Sequence, residues 1–176
     1  MSQPRWLQLA GWSGVGKTTI LKELVSRARA RSERVMVLKF SDHPIPSALH
    51  TGDTFRLVQA GAQSAAFWGQ DGIVWQGDQT TFVELLSHVE ADWILVEGGR
   101  MLPTPKILLA QAEWPPASPP VVAGVGETSR PWPRGLSVKL PQGTDQAASW
   151  IDRHRFDCSV AFDIWYPLLT QGATPC

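Results

Sequence analysis

Short apolar segments alternate with amphipathic ones along the first part of the chain, and this alternation predicts an α/β fold. Residues 6–10 are mostly apolar and end at a glycine-rich turn, which is typical of a strand buried on both faces of a sheet. Apolar residues then recur at helical spacing over residues 17–31, which predicts an amphipathic helix. Residues 35–40 form a second buried strand. This order of elements predicts a right-handed parallel crossover.

The middle of the chain continues the pattern. A loop over residues 43–52 precedes a predicted short helix at 53–62, and a further helix at 80–90 leads into a buried strand at 92–97. Two short apolar runs between these helices are predicted to form either a hairpin or two strands of the main sheet: Ser64–Trp68 and residues 72–76.

Beyond residue 100 the pattern is weaker. Residues 106–110 and Val121–Val125 are each predicted to be a strand, and residues 114–120 form a proline-rich connector that cannot be helical. Residues 145–155 are predicted to be the last helix. Without a repeat or a firm boundary, the prediction is one domain over 1–176, with a mostly parallel sheet flanked by helices.

Composition and charge narrow the range of functions. Sixteen basic and sixteen acidic residues cancel, so nucleic-acid binding loses its usual electrostatic support. The one basic cluster is predicted to be cations facing water near a helix end, comprising Arg27, Arg29, Arg31 and Arg34. Without an apolar stretch approaching about 20 residues or a disulfide framework, we expect no membrane partner and a cytoplasmic location.

One motif carries the chemistry. The segment from residue 11 to residue 18 reads Gly, four residues, Gly, Lys, Thr, which is the phosphate-loop pattern, and it lies between a buried strand and an amphipathic helix. Its backbone N–H groups and the following helix dipole would face phosphate oxygens, while the lysine would add a positive charge at the β- and γ-phosphates. The predicted nucleotide-binding residues are Gly11, Trp12, Ser13, Gly14, Val15, Gly16, Lys17, Thr18 and Thr19.

A triphosphate site also needs ligands for magnesium. Thr18 supplies a hydroxyl, and Glu97, at the carboxyl end of the strand 92–97, is the predicted acidic residue because ligands of open parallel sheets bind beyond that edge. The alternative for Glu97 is a solvated side chain at the end of the strand. The metal role is favoured because Gly98 and Gly99 would leave space beside Glu97.

A looser cluster follows the second strand, made of Asp42, His43, His50 and Asp53. It lacks the cysteines and regular spacing of a transition-metal site, so a solvated loop or a phosphate-sensing role is favoured. Asp53 is the predicted catalytic residue together with Lys17, although Asp53 could instead cap a helix that begins near Thr54.

These motifs together resemble the MobB family, the molybdopterin-guanine dinucleotide biosynthesis proteins B. The resemblance covers about residues 5 to 110 and rests on the phosphate loop through Thr19, on Lys39, on the run from Gly52 to Arg56 followed by Ala60-Gly61-Ala62, and on the Leu95-to-Gly98 strand end. It implies a homodimeric P-loop GTPase with weak Mg²⁺-dependent hydrolysis. It also implies an accessory role beside molybdopterin guanylyltransferase, with molybdopterin itself as a further candidate ligand.

Some positions depart from the family pattern. Phe40 stands where a histidine is usual, and Gly99 and Arg100 stand where an aromatic residue and a lysine are usual. The chain also lacks an Asn-Lys-x-Asp motif for guanine. Three other classes therefore stay open: a P-loop small-molecule kinase, a nickel-insertion metallochaperone GTPase, and an adaptor in which the nucleotide only sets the shape.

Overall fold

The computed structural model describes residues 3–40, 53–68, 73–77, 79–100, 102–109, 121–125, 136–138 and 144–171. Eight strands and six helices lie in these ranges. The strands are β1 Arg5–Gly11, β2 Val35–Lys39, β3 Ser64–Trp68, β4 Ile73–Gly77, β5 Trp93–Glu97, β6 Lys106–Leu109, β7 Val121–Val125 and β8 Leu136–Val138. The helices are α1 Lys17–Ala30, α2 Asp53–Gln59, α3 Gln79–Ser87, α4 Thr144–Arg153, α5 Arg155–Cys158 and α6 Phe162–Gln171.

Six of the strands form one sheet in which every neighbouring pair is parallel, in the order β2-β5-β1-β6-β7-β8. Strand β5 lies between β1 and β2, so the first two strands share a sheet without pairing directly. All the carboxyl ends therefore face one edge, where β1 leads into the glycine-rich loop and β5 ends at Glu97. The predicted parallel α/β fold is confirmed.

The alternating side chains of β1 separate the core into two layers. Leu7 and Leu9 pack with apolar residues of α1 and α4, including Leu21 and Ile151. Trp6 lies on the opposite face, where the buried side chains come from α3 and α6: Leu86, Trp165 and Leu169. Helices thus cover both faces, which explains why the central strands carry continuous apolar runs.

The structure resolves one alternative that the hydrophobic pattern left open and adds elements that the pattern missed. Strands β3 and β4 pair antiparallel in a separate two-stranded sheet, so the hairpin alternative is correct. The helix predicted at 145–155 is not the last one, because α5 and α6 follow α4. The hydrophobic pattern missed α6 because Pro167 lies inside this helix. It also missed β8, which is only three residues long. The proline-rich connector at 114–120 lies outside the described residues.

The basic cluster ties α1 to α4. Arg27 pairs with Asp145 at 3.1 Å, and Arg31 pairs with Asp152 at 2.9 Å. The two side chains are 32% and 33% exposed, so they still face water as predicted, and they also pair with acidic residues of α4. None of the helices in the described ranges combines the length and the apolar character needed to cross a bilayer.

Candidate functional site

The loop between β1 and α1 contains the glycines of the motif, and Gly14 and Gly16 both have a positive φ. Gly16 has φ 89° and caps α1 in the left-handed region, where glycine carries no steric penalty. A Cβ atom at Gly16 would lie 2.8 Å from Cγ2 of Thr144 at the start of α4. The loop is therefore packed against α4, which limits the shapes that it can adopt.

Lys17 crosses the loop and bonds to its backbone. Its Nζ donates to the carbonyl oxygens of Gly11 at 3.0 Å and Trp12 at 2.6 Å. An ammonium group has three donors, so one remains for a phosphate oxygen while the other two hold the lysine in place. The role of Lys17 at the β- and γ-phosphates stays a prediction.

Thr18 and Glu97 come together at the mouth of the loop. The Thr18 hydroxyl donates to Oε2 of Glu97 at 2.9 Å, and Nζ of Lys39 lies 3.7 Å from Oε1. The Glu97 side chain is 12% exposed, so the alternative of a solvated glutamate does not hold. A hydroxyl and a carboxylate are the hard oxygen donors that Mg²⁺ prefers, and the two side chains that would hold it are in contact.

Magnesium usually keeps several waters and takes only one or two protein carboxylates beside substrate phosphates. A site of this kind fits the residues present, because Thr18 and Glu97 supply one hydroxyl and one carboxylate in contact with each other. Bound there, the ion would supply positive charge to the β- and γ-phosphate oxygens.

The glycine pair after Glu97 is packed closely against neighbouring residues. A Cβ atom at Gly98 would meet the carbonyl oxygen of Phe40, and one at Gly99 would lie 2.6 Å from Cδ1 of Leu102. Gly98 has φ 84° and Gly99 has φ 62°. The two glycines allow the chain to turn sharply against its neighbours at the end of β5.

Two buried polar residues next to the site were missed by the sequence reasoning. Gln8 on β1 and Lys106 on β6 are both fully buried, and each donates to backbone carbonyls of the turn that follows β5. The available signal was a polar residue within or beside an apolar strand, which requires buried hydrogen-bond partners.

Arg100, in the same turn, lies over the phosphate loop. Its guanidinium carbon is 5.4 Å from the ring centre of Trp12, the second residue of the loop. Trp12 is 48% exposed and is therefore not a core residue. This contact brings the cation of Arg100 to the side chain of a residue in the loop.

The other predicted catalytic residue, Asp53, lies at the start of a helix. Asp53 begins α2, so it is the first helical residue, but its side chain lies outside the described residues. Asp42, His43 and His50 lie entirely outside the described residues. The predicted roles of these three residues and of Asp53 stay untested.

Comparison with known proteins identifies relatives of the chain. The family described as "Molybdopterin guanine dinucleotide synthesis protein B", MobB, matches residues 6–123. The molybdopterin-guanine dinucleotide biosynthesis adapter protein of Haemophilus influenzae is 28% identical over 162 residues, which cover 85% of this chain and 90% of that protein. The protein of the same name from Escherichia coli K12 is 31% identical over 111 residues, covering 58% and 63% respectively.

Solved structures support the fold. A MobB protein homolog from Bacillus stearothermophilus superposes with a TM-score of 0.53 at 18% identity, over 85% of this chain and 96% of that one. Bacillus subtilis MobB superposes with a TM-score of 0.51 at 23% identity, over 69% and 78%. At these identities the likeness concerns the fold alone.

Proposed function

The chain belongs to the MobB family, and from this premise we propose that it binds GTP and Mg²⁺ as an accessory protein in molybdenum cofactor maturation. Its relatives from three bacteria are named molybdopterin-guanine dinucleotide biosynthesis adapter proteins, one of them as probable. We propose that the chain assists the guanylyltransferase that synthesises molybdopterin guanine dinucleotide. Molybdopterin is a further candidate ligand.

The observation that carries the nucleotide part of the proposal is the contact between Thr18 and Glu97. The hydroxyl follows the phosphate-loop lysine, and the carboxylate ends the neighbouring strand, yet their oxygens lie 2.9 Å apart. Because parallel strands end at one edge, a triphosphate in the loop would have its β- and γ-phosphates beside both groups. We assign Thr18 and Glu97 to magnesium and Lys17 to the phosphates.

The same arrangement favours slow hydrolysis. Fast phosphoryl transfer requires a group that orients the attacking water as well as positive charge for the transition state. Glu97 is already engaged by Thr18 and Lys39. We propose that the water-orienting group is Asp53 or comes from a partner, and that the protein acts as a homodimer in the cytoplasm.

Calorimetric titration tests the proposal directly. We expect GTP to bind at least about tenfold more tightly than ATP, which corresponds to roughly 1.4 kcal/mol, and the affinity for GTP to fall when Mg²⁺ is removed. The preference for guanine rests on the family alone. ATP binding as tightly as GTP would overturn it and favour a small-molecule kinase, whereas failure to bind either nucleotide would reject the phosphate site.

A further inference from the structure

Two buried side chains of the main sheet hold the turn that follows Glu97. Nε2 of Gln8 donates to the carbonyl oxygens of Gly98 at 2.8 Å and Gly99 at 2.7 Å. Nζ of Lys106 donates to those of Arg100 at 3.0 Å and Leu102 at 2.5 Å. Four carbonyls of five consecutive residues are thus fixed by donors from the sheet.

The sheet places the two donors side by side. Strands β1 and β6 are parallel neighbours, and Leu9 lies opposite Ile107. Gln8 and Lys106 come one residue before this pair, so they lie next to each other on the two strands. Because side chains alternate along a strand, both occupy the face opposite to Leu9 and Ile107, which pack with α1 and α4. Oε1 of Gln8 is also engaged, accepting from the Trp6 indole and the Thr104 hydroxyl. This network leaves the Gln8 amide little freedom to rotate.

An apolar residue would be the ordinary occupant of the Lys106 position. Burial of an ammonium group is costly, and Lys106 has no carboxylate partner within the described ranges. Burial accordingly lowers the pKa of Lys106 to about 8. A methionine would fill similar space at a lower cost, so the fold retains the lysine for its two hydrogen bonds.

The hydrogen bonds from Gln8 and Lys106 to the turn determine where Arg100 lies. The turn joins Glu97, which contacts Thr18, to Arg100, whose guanidinium lies 5.4 Å from the Trp12 ring centre. Both ends of the turn therefore contact the phosphate loop, one through a carboxylate and the other through a cation. Fixing the carbonyl of Arg100 fixes the point from which its side chain reaches the loop.

We propose that Gln8 and Lys106 are positioning residues of the nucleotide site, which hold the turn so that Arg100 lies against Trp12 and presents a second positive charge to the bound polyphosphate. The inference rests on the proposed nucleotide binding. It adds Arg100 as a ligand-contacting residue and explains two buried polar side chains that the phosphate-loop motif does not include.

A double-mutant cycle on GTP affinity in the presence of Mg²⁺ tests the proposal. Arg100→Ala should weaken binding about tenfold, the loss expected for one charge-assisted contact, and Arg100→Lys should recover most of it. Lys106→Met should weaken binding by about five- to tenfold in the parent but less than about twofold in the Arg100→Ala background, because its effect passes through Arg100. Lys22→Met, at an exposed position of α1, is the control for the loss of one lysine charge and should not change affinity.

If Lys106→Met does not fold, Gln8→Glu replaces it in the cycle, since it keeps an acceptor for Trp6 and Thr104 while removing the amide donor. Equal losses in both backgrounds, or an Arg100→Ala variant that binds like the parent, would overturn the proposal.

A second measurement does not depend on nucleotide. In protein labelled with 5-fluorotryptophan, the Trp12 ¹⁹F resonance is assigned by its loss in Trp12→Phe. It should shift in Arg100→Ala and in Lys106→Met but not in Lys22→Met. A Trp12 resonance that Lys106→Met leaves in place would overturn the positioning role. If the variants show these shifts but the parent protein does not bind GTP, the proposed function is rejected and the positioning of Arg100 is retained.

Discussion

At the scale of single residues, the side chains of the candidate site are held by hydrogen bonds and an ion pair within the protein. Lys17 is held by two carbonyls of its own loop, and Glu97 by Thr18 and Lys39. Such preorganisation lowers the entropic cost of binding, because the ligand does not have to immobilise long side chains. Substitution of either residue should therefore change affinity with a small effect on the fold.

Lys17→Ala should abolish measurable triphosphate binding while the melting temperature stays close to that of the parent. The variant loses one charge-assisted contact, worth roughly 1.5–3 kcal/mol, which corresponds to at least about a tenfold loss of affinity. Titration calorimetry with GTP measures the loss. Lys22→Ala on the same helix is the matched control, and a Lys17→Ala variant that binds like the parent would contradict the phosphate-site assignment.

Glu97→Gln should reduce affinity for GTP strongly when Mg²⁺ is present and weakly when it is absent. The amide carbonyl still accepts from Thr18, so the shape is kept, but the negative charge that a hard cation prefers is lost. Titrations with and without Mg²⁺ separate the two contributions, and Thr18→Ala should show the same selectivity. An equal loss under both conditions would place Glu97 away from the metal.

At the scale of elements, the phosphate loop is shaped by the helix packed against it as well as by its own glycines. Gly14 and Gly16 both have positive φ, but only Gly16 faces a neighbour, the Thr144 methyl at the start of α4. A Cβ atom at Gly14 would have no atom within 4 Å. A substitution at Gly14 therefore measures backbone strain alone, whereas one at Gly16 measures backbone strain together with the clash against α4.

Gly14→Ala should lower the free energy of unfolding by about 1 kcal/mol, the cost of a left-handed backbone with a Cβ atom. Gly16→Ala should cost roughly 1 kcal/mol more, because the added methyl group clashes with a stiff β-branched side chain. Thr144→Ser in the Gly16→Ala background should recover that difference. Urea unfolding of the four proteins measures it, and identical losses for both glycines would show that α4 does not constrain the loop.

At the scale of the whole molecule, the two core layers support different parts of one site. Helices α1 and α4 back the phosphate loop from one face of the sheet, and Gln8 and Lys106 fix the turn after β5 from the other. The buried lysine also makes global stability depend on pH. Its pKa is about 8 in the folded protein, below the ordinary value of 10.5.

Between these two values the unfolded chain binds more protons than the folded one, so the contribution of Lys106 to stability should rise with pH from about 8 to 10.5. Below pH 8 the charged form is buried and the contribution is smallest. Denaturant unfolding of the parent and Lys106→Met across this range measures the effect as the difference between the proteins, which cancels groups common to both. Parallel pH curves would contradict the assignment.

The rate of GTP hydrolysis is also a prediction at this scale. We expect single-turnover GTP hydrolysis to be far slower than a typical enzyme turnover of about 10 s⁻¹, because no water-orienting group is held at the described site. A rate that rises with protein concentration would indicate a residue acting across a dimer, for which Arg56 is the candidate. A rate near 10 s⁻¹ in the isolated protein would contradict the prediction.

The sequence by itself determined the features that depend on local pattern. The phosphate loop, its flanking strand and helix, the strand that ends at Glu97 and the family membership all follow from contiguous residues whose spacing has a direct physical meaning. Even the position of Glu97 beside the phosphate loop followed from one topological rule, since the carboxyl ends of parallel strands meet at one edge.

Tertiary structure alone decided what depends on residues far apart in the chain. Gln8 and Lys106 are separated by 98 positions, and only the pairing of β1 with β6 brings them under one turn. Likewise, Arg100 meets Trp12, and Thr144 limits Gly16, through packing that local periodicity does not encode. Strand β8 and helix α6 were missed because a three-residue strand and a proline-containing helix give weak periodicity, and their structure depends on the sheet and core that they join.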